Sequence, residues 1–215
     1  MNLKTIPYRE YEKDLPQKGQ HILAQYSNDN IIVYQAFNPN IARYAVANQA
    51  FGGAHYRFSR MSWIKPNFLW MMYRCGWATK EAQKRVLAIE ISKANFESIL
   101  EEAVFSSYKP TIYQAQENWK RALETSSVRL QWDPDHDPYG AKLDRRGVQL
   151  GLRGEILRAF ATDWIISIQD ITPFVLEQGA KVKAGELNAL QVMDEAVYHV
   201  KSSKAREMIA LSPLE

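Results

Sequence analysis

The stretch that decides the reading is RFSRMSWIKPNFLWMMYRCGW, Arg57–Trp77. It holds three of the chain's six tryptophans, four basic side chains and no carboxylate. Pro66 divides it. Beyond Pro66, residues Phe68, Leu69, Trp70, Met71, Met72 and Tyr73 make a helix apolar all the way round, and such a helix is buried on most sides. Pro66 suits a first helical turn and Gly76 a C-cap. Before Pro66, Tyr56 and Phe58 alternate with Arg57 and Ser59, which predicts a strand with one cationic face. Lys65 stands at the helix start, where free N–H groups and the positive dipole end favour an anion. Ser62 is placed either to cap that end or to donate to a phosphate, with the Trp63 indole beside it.

Outward from this stretch the basic character continues. From Arg57 to Arg85 there are seven Lys or Arg and one acid, Glu81. A locally basic surface attracts phosphate even when the net charge is only +3. Upstream, IIVYQAF (31–37) is β-branched and aromatic on both faces, which predicts a central strand. Asn38 and Pro39 then open a helix over IARYAVANQAF that the glycine pair 52–53 ends. Downstream, RVLAIEIS (85–92) is a second clear strand. Helices are expected over KANFESILEEAVFSS, PTIYQAQENWKRALE and EILRAFATDW, and strands over SVRLQW (127–132), VQLGLRG and IISIQDIT (165–172). DPDHDPYGAKLDRRG reads as a long loop. Residues 1–20 read as an arm, and 173–215 as a mostly helical region in which ELNALQVMDEAVYHV is a helix covering the core. The sum predicts a single α+β domain with a mixed, mostly antiparallel central sheet of about five to seven strands flanked by helices.

Composition narrows the function classes. The 215 residues are 46% hydrophobic and 24% charged, ordinary for one globular core. No run of eighteen apolar residues is present, which argues against a membrane span. The N-terminus lacks an apolar signal region, and Cys75 is the lone cysteine, so a reducing cytoplasm is expected. Zinc ribbons and iron–sulfur clusters need more cysteines, and no HExxH, Walker A or GxSxG pattern occurs. Asp133, Asp135, His136 and Asp137 offer hard ligands, but their spacing fits no calcium loop and reads as a turn run, so no metal is expected.

A second constellation is DRRGVQLGLRGE, 144–155. As a strand it places Gln149, Gly151 and Arg153 on one face and Val148, Leu150 and Leu152 on the other. Arginine forks match phosphate bidentately, and glycines let a backbone approach a ligand. Arg145 and Arg146, with Arg60, are candidate contacts for nucleic-acid phosphates. Glu155 follows at the end of the strand.

The segment RMSWIKPNFLWMMYRCGWATKEAQKRVLAIEISKANF, with RRGVQLGLRGE and IQDITPFV, resembles a family catalogued as domain of unknown function 4291, over roughly residues 30–200. The order of elements is also similar to the ADP-ribosyltransferase fold. That resemblance implies an NAD-using transferase. Gln35 would stand where the fold has Arg or His, Ser59 or Ser62 would supply the serine strand, and Gln149 or Glu155 would orient the nicotinamide ribose. Arg57, Lys65 and Arg153 would then face the pyrophosphate, and Tyr34 and Trp63 the rings. The Gln35 departure weakens the fit, and relatives that act on RNA phosphate rely on arginines instead of the glutamate. The functional expectation is an ADP-ribosyltransferase-like enzyme using NAD on a nucleotide or nucleic-acid target. The alternative is a non-catalytic RNA- or DNA-binding domain with a basic, tryptophan-rich surface.

Overall fold

The computed structural model describes residues 1–213. Its elements begin with β1 (Thr5–Pro7), α1 (Tyr8–Tyr11), β2 (Gly19–Gln20), β3 (Leu23–Ala24), β4 (Asn30–Phe37) and α2 (Pro39–Asn48). The middle of the chain forms β5 (Ser62–Ile64), α3 (Phe68–Cys75), β6 (Arg85–Ser92), α4 (Lys93–Glu101) and β7 (Ala103–Phe105). Next come α5 (Pro110–Tyr113), α6 (Gln116–Thr125), β8 (Val128–His136), β9 (Lys142–Leu152), α7 (Gly154–Thr162) and β10 (Ile165–Asp170). The chain closes with α8 (Thr172–Ala184), β11 (Gln191–Met193), β12 (Ala196–Val197) and α9 (Ser203–Met208).

The two apolar strands β4 and β6 pair antiparallel from Asn30↔Ser92 to Phe37↔Arg85. β10 lies on the other side of β6, so β6 and not β4 is the centre of a three-stranded sheet. β8 and β9 form a long antiparallel hairpin. β7 runs parallel to β8, and β9 receives β2 in parallel and β5 antiparallel on its other edge. The expected single central sheet is therefore two, of three and five strands, with β1–β11 and β3–β12 as minor pairs.

The two larger sheets meet at one residue pair. Tyr34 N–H donates to the Lys65 carbonyl at 2.7 Å, and Lys65 N–H donates to the Tyr34 carbonyl at 3.1 Å. Lys65 follows β5 directly, so its backbone stitches the five-stranded sheet to β4. Helix α3 then packs Phe68, Leu69, Met71, Met72 and Cys75 into a core shared with Tyr34, Val86 and Ala88. A second apolar core lies around Ile31, Val33, Leu87, Ile89, Leu130 and Leu150. The result is one compact α+β domain. Among the described residues no helix is long and apolar enough to cross a membrane.

Several local expectations give way to tertiary contacts. Residues 54–61 are turns and not a strand, because Tyr56 is drawn into a ring cluster with Phe51 and Phe58. Helix α2 ends at Gln49, in the left-handed region at φ 51°, before the glycine pair. The helix expected through residue 107 stops at Glu101 so that β7 can join β8. Gln114, at φ 59°, divides the next one. DPDHDPYGAKLDRRG is the tip of the β8–β9 hairpin, closed by Asp137 N–H donating to the Ala141 carbonyl at 2.9 Å. The expected helix over 186–200 is instead β11 and β12, which pair with β1 and β3.

Candidate functional site

The junction of the two sheets opens a cleft of about 600 Å³. β4 supplies Gln35, β5 supplies Ser62 and Trp63, and Lys65 follows them. Gln131 and Gln149, register partners on β8 and β9, form one wall. Arg57 and Arg60 reach it from the preceding turns, and Arg74 from the last turn of α3. Among the described residues no Asp or Glu lines it.

Lys65 dominates the electrostatics. Its residue is 4% exposed, and its ammonium makes no hydrogen bond or ion pair with the described residues. Burial pushes its pKa down to about 8, and the nearby Arg74 charge adds to the effect. Asp133 opposes these only in part. Most of its hydration is lost and no partner among the described residues replaces it, while its Nζ keeps contact with the cleft.

The carboxamides around it have fixed orientations. Gln35 Nε2 donates to Ser62 Oγ at 2.8 Å and to the Trp63 carbonyl at 3.1 Å. A carbonyl only accepts, so the amide must point this way. Gln35 Oε1 is then a buried acceptor with no donor. Gln149 Nε2 donates to Gln131 Oε1 at 2.7 Å and to Asp133 Oδ2 at 2.8 Å. The Asp133 carboxylate settles that amide in the same manner and leaves Gln149 Oε1 for the cleft. Trp63 lies over Gly151 of β9. A Cβ on Gly151 would come within 2.9 Å of the indole, so this glycine is what lets the ring lie against the strand.

Other residues singled out from the sequence lie elsewhere. The Tyr34 ring is fully buried and packs edge-on against Phe68 at 5.7 Å, so only its backbone serves the site. Arg153 donates through Nε and Nη2 to the carbonyls of Ser126, Leu123 and Glu124, closing the C-terminus of α6. Glu155 is exposed on the first turn of α7, outside the cleft. Arg145 is 2% exposed, gripped by Asp135 at 2.7 Å and by Glu12 at 2.8 Å, and offers nothing to a nucleic acid. Burial alone would lower its pKa, and the carboxylates outweigh burial and raise it. Arg146 is exposed and lines a separate groove. Arg60 is exposed at the cleft rim, while Ser59 does not reach it. Among the described residues no three potential metal ligands cluster; Asp135 is paired with Arg145, and His136 stacks on Tyr73 at 3.4 Å with Trp70 5.3 Å away.

The start of α3 is not an open anion site either. Asn67, not Ser62, caps it, its Oδ1 accepting from Trp70 N–H at 2.6 Å. Glu195 Oε1 accepts from Phe68 N–H at 2.7 Å, and its Oε2 accepts from the Tyr11 hydroxyl at 2.9 Å. The protein thus puts its own carboxyl group where the sequence suggested a ligand's anion. Burial pushes the Glu195 pKa well up, against the pull of these hydrogen bonds.

Sequence reasoning missed Gln131, Asp133 as the anchor of Gln149, and Glu195. For the first two a signal existed. Gln131 alternates with Leu130 and Trp132, and had the Asp/Pro run been taken as a hairpin tip, Gln131 and Asp133 would have faced Gln149. Glu195 carried no signal, being one acid in a tail read as helix.

A search of the curated proteins found no match. A family model described as "Domain of unknown function (DUF4291)" matches residues 21–198. That span contains the five-stranded and three-stranded sheets apart from the short β2, together with every cleft residue named above. The chain belongs to the DUF4291 family.

Proposed function

We propose that the cleft binds a phosphorylated nucleotide and that the protein is an ADP-ribosyltransferase-like enzyme taking NAD there. The observation that carries this reading is Lys65, 4% exposed and with no ion-pair partner among the described residues, in a cleft whose described lining has three arginines and no acid. A pyrophosphate is the kind of ligand that removes the cost of such a charge.

Each cleft group then has a role. Lys65, with Arg57 and Arg74, neutralises the pyrophosphate, and Arg60 extends the positive rim. Trp63 offers an aromatic face to a ring. Gln35, whose Oε1 is shut off from the cleft, acts from behind it, its Nε2 holding Ser62 and the Trp63 carbonyl in place. Gln149 Oε1 accepts from a ribose hydroxyl, with Asp133 and Gln131 locking its amide. Rupture of the bond between ribose C1′ and the nicotinamide nitrogen sends the bonding pair to nicotinamide and leaves a cationic ribosyl centre, to which an oxygen of the nucleotide or nucleic-acid target then bonds. The carbonyl dipole of Gln149, backed by the Asp133 charge, is the group suited to stabilise that centre. Glu155, outside the cleft, has no part in this assignment.

NAD titration followed by thermal melting and nicotinamide release tests the reading. Saturation at a hundredfold over Kd stabilises a protein by about 2.7 kcal/mol. The expected result is such a shift, together with its loss in Lys65→Met. No stabilisation at millimolar NAD and no nicotinamide release would overturn the reading. RNA or DNA binding without any NAD effect would favour the non-catalytic alternative.

A further inference from the structure

We propose that a second groove beside the cleft holds the phosphates of a single-stranded nucleic acid, so that the acceptor of the cleft's chemistry is a polynucleotide. This rests on the NAD reading of the cleft, where an oxygen of the strand's 5′-phosphate bonds to ribose C1′ as nicotinamide leaves with the bonding pair. The groove has a volume of about 360 Å³ and is lined by Ser106, Ser107, Lys109, Trp132 and Arg146, among others. Gln131 lines both the groove and the cleft, so the two spaces adjoin at this residue.

The strand geometry explains the path. β7 covers the outer edge of β8 only as far as Leu130, with Ser106 N–H donating to its carbonyl at 2.9 Å. Beyond that point no described strand pairs with this edge. Gln131 and Asp133 belong to the cleft face of β8, and Leu130 and Trp132 to the opposite face, because side chains alternate along a strand. The groove touches all four, and Arg146, the register partner of Pro134, stands with Trp132 on the face away from the cleft.

Its chemistry fits phosphate. Lys109 and Arg146 are exposed, and neither makes an ion pair or side-chain hydrogen bond with the described residues. Lys109 sits 5.6 Å from the Phe105 ring centroid, which steadies it without neutralising it. Arginine forks, lysine and serine hydroxyls are the side chains that contact nucleic-acid backbones. Asp133 is the one acid among the described lining residues, and its carboxylate is taken up by Gln149.

The test uses the full chain and 3′-fluorescent, 5′-phosphorylated oligouridylates in di-, tetra- and octanucleotide lengths, read by anisotropy, with NAD melting run in parallel. The expected result is that affinity rises with length. Lys109→Glu with Arg146→Glu should then weaken octamer binding about tenfold or more and reduce its salt slope by about two. The NAD-induced shift should stay as in the unmodified protein. Both side chains are exposed, and an unchanged melt of the double variant checks its fold. Affinity independent of length, an octamer insensitive to the double variant, or full competition by an oligoglutamate peptide would overturn the proposal. Length-dependent binding through Lys109 and Arg146 without any NAD effect would keep the groove and discard NAD. An NAD shift with no gain from oligomers would keep NAD and discard the groove.

Discussion

Two cations are buried in this molecule to the same degree and serve it differently. Arg145 on β9 is 2% exposed and Lys65 at the sheet junction is 4% exposed. Arg145 meets two carboxylates, Asp135 and Glu12, through three hydrogen bonds. Lys65 meets none. The Arg145 cluster ties the N-terminal arm to the hairpin, since Glu12 lies just beyond α1 and Asp135 near the end of β8. It is closed, and an added ligand would find no free charge there. The Lys65 region is open to a cleft, and within the protein Asp133 compensates its charge only in part. A satisfied buried charge is architecture, and an unsatisfied one facing a cleft is a functional candidate.

The contrast breaks first at Arg145. Arg145→Met strands Asp135 and Glu12 together and should destabilise the protein by about 3–5 kcal/mol in chemical denaturation. An unchanged midpoint would show that the cluster is not structural. Lys65 should behave in the opposite direction. Its folded pKa of about 8 lies below its ordinary 10.5, so the folded state gives up the proton first. Stability of the free protein should therefore rise as pH climbs through that window, by about 3 kcal/mol in all. Lys65→Met should flatten this rise, and a wild-type curve already flat there would contradict the unpartnered ammonium.

Glu195 sharpens the closed side of the comparison. Glu195→Ala orphans Phe68 N–H and the Tyr11 hydroxyl and should cost about 2–3 kcal/mol by urea melting. Because burial raises its pKa, the folded state keeps the proton after the unfolded state has lost it. Stability from the neutral carboxyl is thus full below the ordinary carboxylate range and declines as pH rises toward the raised value. Glu195→Gln should lack that decline. The smallest effect is at Arg153. Arg153→Ala removes the tie to the end of α6 and should cost about 1 kcal/mol while leaving the NAD-induced shift unchanged. A lost shift would return Arg153 to the site.

Much of the local structure was legible. Asn38 and Pro39 start α2, with Asn38 Oδ1 accepting from Asn40 and Ile41 N–H, and Gly76 ends α3 at φ 59°. β4 and β6 carry the apolar runs that named them. Failures share one cause. β11 pairs with β1 from opposite ends of the chain, so its short apolar run was indistinguishable from a helix turn in isolation. The Asp/Pro-rich hairpin tip was hidden by residues that usually mark loops, although long-range pairing carries β8 through Pro134 to His136.

The site divides along the same line. Before Pro66, Arg57, Ser62, Trp63 and Lys65 do line one cleft, and Gln149 lies on its wall. Arg145, Arg146 and Arg153 are neighbours on one strand and its end, yet one is locked in an ion cluster, one lies in a groove and one closes a helix. Sequence lists charges but not their partners, and partners decide which charges are free.

By itself the sequence determined the apolar strands, the buried α3 and the basic approach to Pro66, since these follow from periodicity, capping and local composition. Only the tertiary structure decided that α3's first turn is satisfied by Glu195, that Arg145 is spent on Asp135 and Glu12, and that Lys65 is left facing a cleft. Those outcomes depend on which distant residues meet, and the desolvation of a charge exists only once the chain has closed around it.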